Sequence, residues 1–158
     1  MKNVLDTCVG SIAFYSIGYS FSVNLNGGII GTSNFFGTGF ENHQYTDWIF
    51  LFSYCSAATT IVSGSLAERT YLDTYLIYSF IMTAFIYPIA AGWVWGGGWL
   101  AELGFLDFAG SGVVHMTGGV AGLVGTIILG PRTGFFVDKK KQQAKMERQK
   151  KIEAKEKA

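Results

Sequence analysis

The chain has 158 residues, is 49% hydrophobic and 16% aromatic, and carries two prolines, two cysteines and a formal net charge of +1. That net charge averages two unlike parts. Residues 138–158 hold nine of the twelve Lys/Arg and four of the eleven Asp/Glu, a net of +5, whereas the first 137 residues net −4. An apolar body with a basic tail argues against an ordinary soluble domain. Cys8 and Cys55 lie in apolar stretches without companion histidines, which argues against a disulfide framework or a metal site.

Four stretches reach the roughly 20 residues needed to cross about 30 Å of hydrocarbon. They are 4–25, 48–67, 71–93 and 108–129. The first is too long for a signal-peptide core and ends without a small-residue cleavage pattern, so it reads as a span that stays. Ser, Thr, Gly and Tyr recur through all four, as expected of helices that face one another more than lipid. Residues 1–137 are therefore predicted to form one four-span domain.

The loop at 26–47 is rich in Gly, Asn, Ser and Thr and reads as turns, with His43 as a solvated loop residue. Loops 26–47 and 94–107 carry Glu41, Asp47, Glu102 and Asp107 but no cation. With an even number of spans, every Lys/Arg falls on the side of the two termini, which predicts that both face the cytoplasm-like compartment. The tail at 138–158 is built of strong helix formers, with Glu147/Lys151 and Glu153/Lys157 spaced four apart. Lacking an apolar stripe, it predicts a basic, polar helix that is solvent-exposed or frayed, or that lies on anionic lipid or on an acidic partner.

The tryptophan-glycine block at 93–99 leads through Asp107 into a glycine-studded apolar helix with a lone histidine, His115. An ionisable group at membrane depth is a functional-site candidate by default. Helical spacing puts Ser111, Gly118, Gly119, Gly122 and Thr126 on one flank with His115, and Gly118/Gly122 have the small-xxx-small spacing of packed membrane helices. The same flank also fits a plain packing face around a satisfied core histidine. Both readings stay open at this point.

Several strings together resemble the ammonium transporter family (Amt/MEP/Rh), especially its plant and microbial branch. They are NVLD and FYSIGYSFS in the first span, SGSLAERT after the second, YPIAAGWVWGGGWL at the end of the third, and LDFAGSGVVHMTGGVAGLVGTIILGPR through the fourth. The resemblance implies an all-α membrane protein whose four spans correspond to part of one half of an inverted repeat. Family members are trimers of eleven-span protomers with a narrow pore in each. By resemblance, Trp95 is the outer aromatic that receives ammonium through cation–π attraction, worth about 0.5 to 2 kcal/mol. Asp107 is the carboxylate that buttresses recruitment and caps the pore helix, and His115 is the first of two pore histidines. Tyr54 stands where the family's outer phenylalanine gate would be, so the entrance is expected to be wetter.

The resemblance covers the family's second to fifth spans, so the expectation is a chain too incomplete to form a pore alone. The alternative expectation is an accessory subunit of a larger membrane complex, without transport. A third, an ammonium sensor or regulatory fragment, finds no signalling domain after the last span. Expected partners are other membrane subunits, lipids and ammonium, not nucleic acid. The expected membrane is the plasma membrane by family, or an organellar inner membrane for an accessory subunit. No enzyme is expected, since there is no nucleophile–base pair or phosphate loop, and no cofactor or metal.

Overall fold

A computed structural model describes residues 2–156, except for the side chains at 137–139, 155 and 156. Lys157, the expected partner of Glu153, lies outside the described residues. Among those described the secondary structure is helical throughout. Helix α1 runs from Lys2–Ala13 through a π-turn, Phe14–Gly18, into Tyr19–Ser22. Helix α2 is Asn42–Leu66, and α3 joins Leu72–Ile81, the π-turn Met82–Ile86 and Tyr87–Val94. A short α4 spans Trp99–Glu102. Helix α5 opens with the π-turn Ser111–Met116 and continues through Thr117–Leu129; α6 is Phe135–Glu156.

Local chemistry sets several of these boundaries. Pro88 has no N–H to give to the carbonyl four residues back, and its ring crowds that carbonyl. The helix widens into the Met82–Ile86 π-turn just before it. Helix α2 begins after Glu41, whose N–H donates to the Gln44 side chain at 2.8 Å. That start is six residues earlier than the expected 48. Helix α5 ends at Gly130, which takes φ +72.

Among the described residues three stretches are long and apolar enough to cross a membrane: Asn42–Leu66, Leu72–Glu102 and Ser111–Leu129. The first expected span is not among them, and its helix stops at Ser22 rather than Leu25. The reason lies in its position. Helix α1 packs against both α2 and α3, burying Asp6, Gly10, Ser20 and Ser22, so polar groups that lipid would not tolerate turn inward. At Gly18 an added β-carbon would sit 2.4 Å from the Thr83 carbonyl, so α1 meets α3 backbone to backbone. Phe14, Cys55, Val62, Met82, Tyr87 and Val114 form the common core.

The two ends of the bundle differ. At one end Lys2 donates to the Ala67 and Thr70 carbonyls at 2.6 and 3.1 Å, Arg69 donates to the Gly130 carbonyl at 2.9 Å, and Arg132 pairs with Glu68 at 2.6 Å. At the other the first loop docks on the glycine block, with Leu25 N–H on the Gly96 carbonyl and Gly27 N–H on that of Gly97. The described side chains at 140–154 of α6 are all exposed.

Candidate functional site

The fourth expected span starts three residues late, at Ser111, because 107–110 form its cap. Asp107 is 5% exposed and its carboxylate accepts four backbone N–H groups. Oδ1 takes those of Gly110 and Ser111, both at 2.9 Å, with the Ser111 hydroxyl at 3.2 Å. Oδ2 takes those of Gly112 and Val113, both at 2.8 Å. These are the orphan amides of a helix start, and the helix dipole favours a negative charge there. Burial alone would raise the Asp107 carboxyl, but the four amides outweigh it and hold it below the ordinary carboxylate range. The turn depends on Gly110 at φ +85, a left-handed conformation that costs glycine little.

The same turn fixes Trp95. Its indole Nε1 donates to the Asp107 backbone carbonyl at 2.7 Å, and its ring lies over Gly110, where an added β-carbon would be 3.2 Å from Cη2. Tyr54 of α2 packs beside it, ring centroids 5.4 Å apart at 60°. Trp95, Tyr54 and Asp107 therefore meet at the loop-bearing end of the bundle. His43 sits apart from them, exposed and 3.4 Å from Glu41.

His115 lies one turn into α5, on an exposed face. Its Nδ1 is 3.1 Å from the Gly110 carbonyl, which also accepts the Val114 and His115 N–H groups. A carbonyl can only accept, so Nδ1 carries the hydrogen, which in the neutral form of the ring makes Nε2 the lone-pair nitrogen. Sequence reading singled out Asp107 and His115 but not Gly110, whose carbonyl sets the tautomer. A glycine three residues after the aspartate was the available signal.

The glycine flank divides. An added β-carbon at Gly118 would be 2.8 Å from the Ala58 carbonyl, and at Gly122 2.8 Å from the Ser65 hydroxyl, so these two receive α2. Gly119 has nothing within 4 Å and lies with His115 on the open side. Within the described residues α2 covers the Gly118 and Gly122 half of that arc. Beside it an apolar groove of about 600 Å³ opens between α2, α3 and α5, lined among others by Leu66, Tyr78, Met82, Met116 and Val120.

Comparison with known proteins identifies the family. Residues 1–151 match the model of the Ammonium Transporter Family. Ammonium transporter Amt2 of Archaeoglobus fulgidus is 43% identical over 149 residues, covering 86% of this chain and 32% of that protein. Ammonium transporter 1 member 1 of Oryza sativa subsp. japonica is 44% identical over 154 residues, covering 86% and 30%. The solved structure of a Sensor Amt Protein superposes with a TM-score of 0.77 at 35% identity, covering 82% of this chain and 35% of that one. The chain thus spans about a third of the length of these relatives. With the family model matched along nearly its whole length, this all-α integral membrane protein belongs to the ammonium transporter family.

Proposed function

We propose that this chain forms the outer mouth and one wall of an ammonium-conducting path. In this reading further membrane helices, from the same polypeptide or another, close the path around His115. The observation that carries the reading is the continuity of the Asp107 turn: one short segment fixes Trp95 on its outer side and His115 Nε2 on its inner side. Trp95 offers an aromatic face to the cation, and the ionised Asp107 supplies a negative field beside it. The Tyr54 hydroxyl makes this mouth wetter than a phenylalanine would. Ammonium then sheds water, gives a proton to a base such as His115 Nε2, and continues as neutral ammonia through apolar surroundings. Gly119, open and without a side chain, leaves room for the helix that would face His115.

Within this proposal α1, α2, α3 and α5 are the four spans of domain 1–137. The tail at 138–158 and both termini lie on the cytoplasm-like side, where Lys2, Arg69 and Arg132 gather. Because His115 is exposed, the described helices do not enclose a channel. Liposomes holding this chain alone are expected to take up no methylammonium.

The test is to purify the native assembly in gentle detergent, identify its components and reconstitute it for methylammonium flux. Flux that falls at least tenfold in His115→Leu and several-fold in Trp95→Leu supports the reading. Recovery at fixed stoichiometry in an unrelated membrane complex, without flux, would replace it by an accessory subunit in which the site is a packing relic.

A further inference from the structure

A second carboxyl is buried at the opposite end of the bundle. Asp6 of α1 is 3% exposed and packs against hydroxyl groups of α2 and α3. The Tyr75 hydroxyl is 2.6 Å from Asp6 Oδ2 and also contacts the Ser63 hydroxyl. Ser63 in turn lies 3.0 Å from Asn3 Oδ1. Asn3 is exposed, so four oxygens line up from the interior to the surface.

Counting hydrogens along this line shows a deficit. Three contacts join the four oxygens, but only Ser63 and Tyr75 carry a hydrogen to place in them. Tyr78 adds none to the line, since its single hydrogen goes either to Asp6 Oδ2 or to the Thr59 carbonyl, both at 3.4 Å. The charge balance shows the same lack. Around Asp6 the donors are neutral hydroxyls, that of Ser79 among them, and among the described residues no cationic nitrogen lies within 4 Å of it. Lys2, one turn earlier, is engaged by the Ala67 and Thr70 carbonyls and by the Tyr75 ring, 5.3 Å away. Asp73, the other acid on α3's first turns, is exposed. A buried carboxylate without a counterion is costly; a neutral acid is far less so.

We propose that Asp6 is a proton-binding site. At neutral pH it is a carboxylic acid whose Oδ2 donates to Tyr75, which donates to Ser63, which donates to Asn3. Each of the three contacts then holds one hydrogen. The line is also a route to water. When Asp6 releases its proton, Tyr75 and Ser63 each receive one hydrogen and pass one on, ending unchanged; because the Asn3 amide oxygen can only accept, a water molecule takes its place on the Ser63 hydroxyl, receives the hydrogen and becomes hydronium. The site lies apart from the Asp107 turn and from His115, so it stands whether or not the proposed ammonium path does.

Infrared spectroscopy of the bilayer-reconstituted protein tests this. A protonated-carboxyl C=O band that is lost in Asp6→Asn reports Asp6 as a neutral acid. The expected result is such a band, downshifted in D₂O and absent from Asp6→Asn. Ser63→Ala should keep the band but slow its deuterium shift several-fold, because it cuts the line. Absence of the band at neutral pH overturns the proposal, since Asn3 would then turn its amide nitrogen to Ser63 and leave Asp6 ionised. Persistence of the band in Asp6→Asn overturns it as well. An unchanged exchange rate in Ser63→Ala overturns the route.

Discussion

The bundle buries one carboxyl at each end and treats them oppositely. Asp107 is 5% exposed and faces four backbone amides, all donors that cannot accept. Asp6 is 3% exposed and faces hydroxyls, which can donate or accept. Their exposure to solvent is nearly equal, and what differs is the depth of each carboxyl in the bundle and the donors around it. Fixed amides demand an anion at Asp107. Rotatable hydroxyls at Asp6 accommodate a proton and can pass it on.

The largest expected effect comes from removing the anion. Asp107→Ala leaves buried amides at the start of α5 without acceptors, at about 1–3 kcal/mol for each group left unsatisfied. A loss of about 3 kcal/mol or more in detergent unfolding is expected, together with release of Trp95. An Ala variant as stable as the wild type would mean that water replaces the carboxylate and that the cap is not what orders the turn.

The sharper test exchanges both acids for their neutral amides. Asn at 107 keeps one accepting oxygen and presents an NH₂ to amides that need an acceptor, so about 2 kcal/mol is expected to be lost. Asn at 6 reproduces the donor and acceptor of a neutral acid, and less than about 1 kcal/mol should be lost. Acid should also separate the two ends. Asp107 is held below its ordinary value of 3.8, so its contribution is complete above that pH and disappears as the pH falls through the lower folded value. Asp107→Asn should therefore unfold with a shallower acid dependence than the wild type in that range, as followed by tryptophan fluorescence. Equal costs for the two Asn variants would break the contrast.

The Asp107 end was legible in the sequence and the Asp6 end was not, for a physical reason. Asp107, Gly110 and His115 are close along the chain, so helix-start chemistry alone relates them. Asp6 sits one turn after Lys2 and resembles any polar residue near a helix end. Its meaning depends on Ser63 and Tyr75, more than fifty residues away and on two other helices. The glycine flank was half legible for a related reason. Periodicity places residues on an arc, but the Ser111–Met116 π-turn and the position of α2 decide which part of the arc is covered.

That division of the flank predicts a smaller, paired effect. Gly118→Leu must push its side chain past the Ala58 carbonyl, 2.8 Å from the new β-carbon, at about 1–3 kcal/mol. Gly119→Leu meets nothing within 4 Å and replaces the poorest ordinary helix former, so the chain alone should gain roughly 0.5 kcal/mol. If another helix packs against the His115 face, the same substitution should nevertheless lower recovery of the native assembly several-fold. A Gly119→Leu chain that assembles normally would show that this face meets lipid.

The smallest effect belongs to the cation-bearing end. Arg132 and Glu68 pair at 2.6 Å, but their side chains are 50% and 67% exposed, so the attraction is screened and two long side chains lose freedom to form it. Arg132→Ala should change stability by no more than about 0.5 kcal/mol. Its expected consequence concerns orientation, because Lys2, Arg69 and Arg132 are the three cations of the first 137 residues and lie together. Moving charge from Arg132 to the 94–107 loop, as in Arg132→Ala with Glu102→Lys, should raise the fraction of inverted chains in a protease-accessibility assay. Unchanged orientation would assign the sidedness to the nine cations of the tail instead.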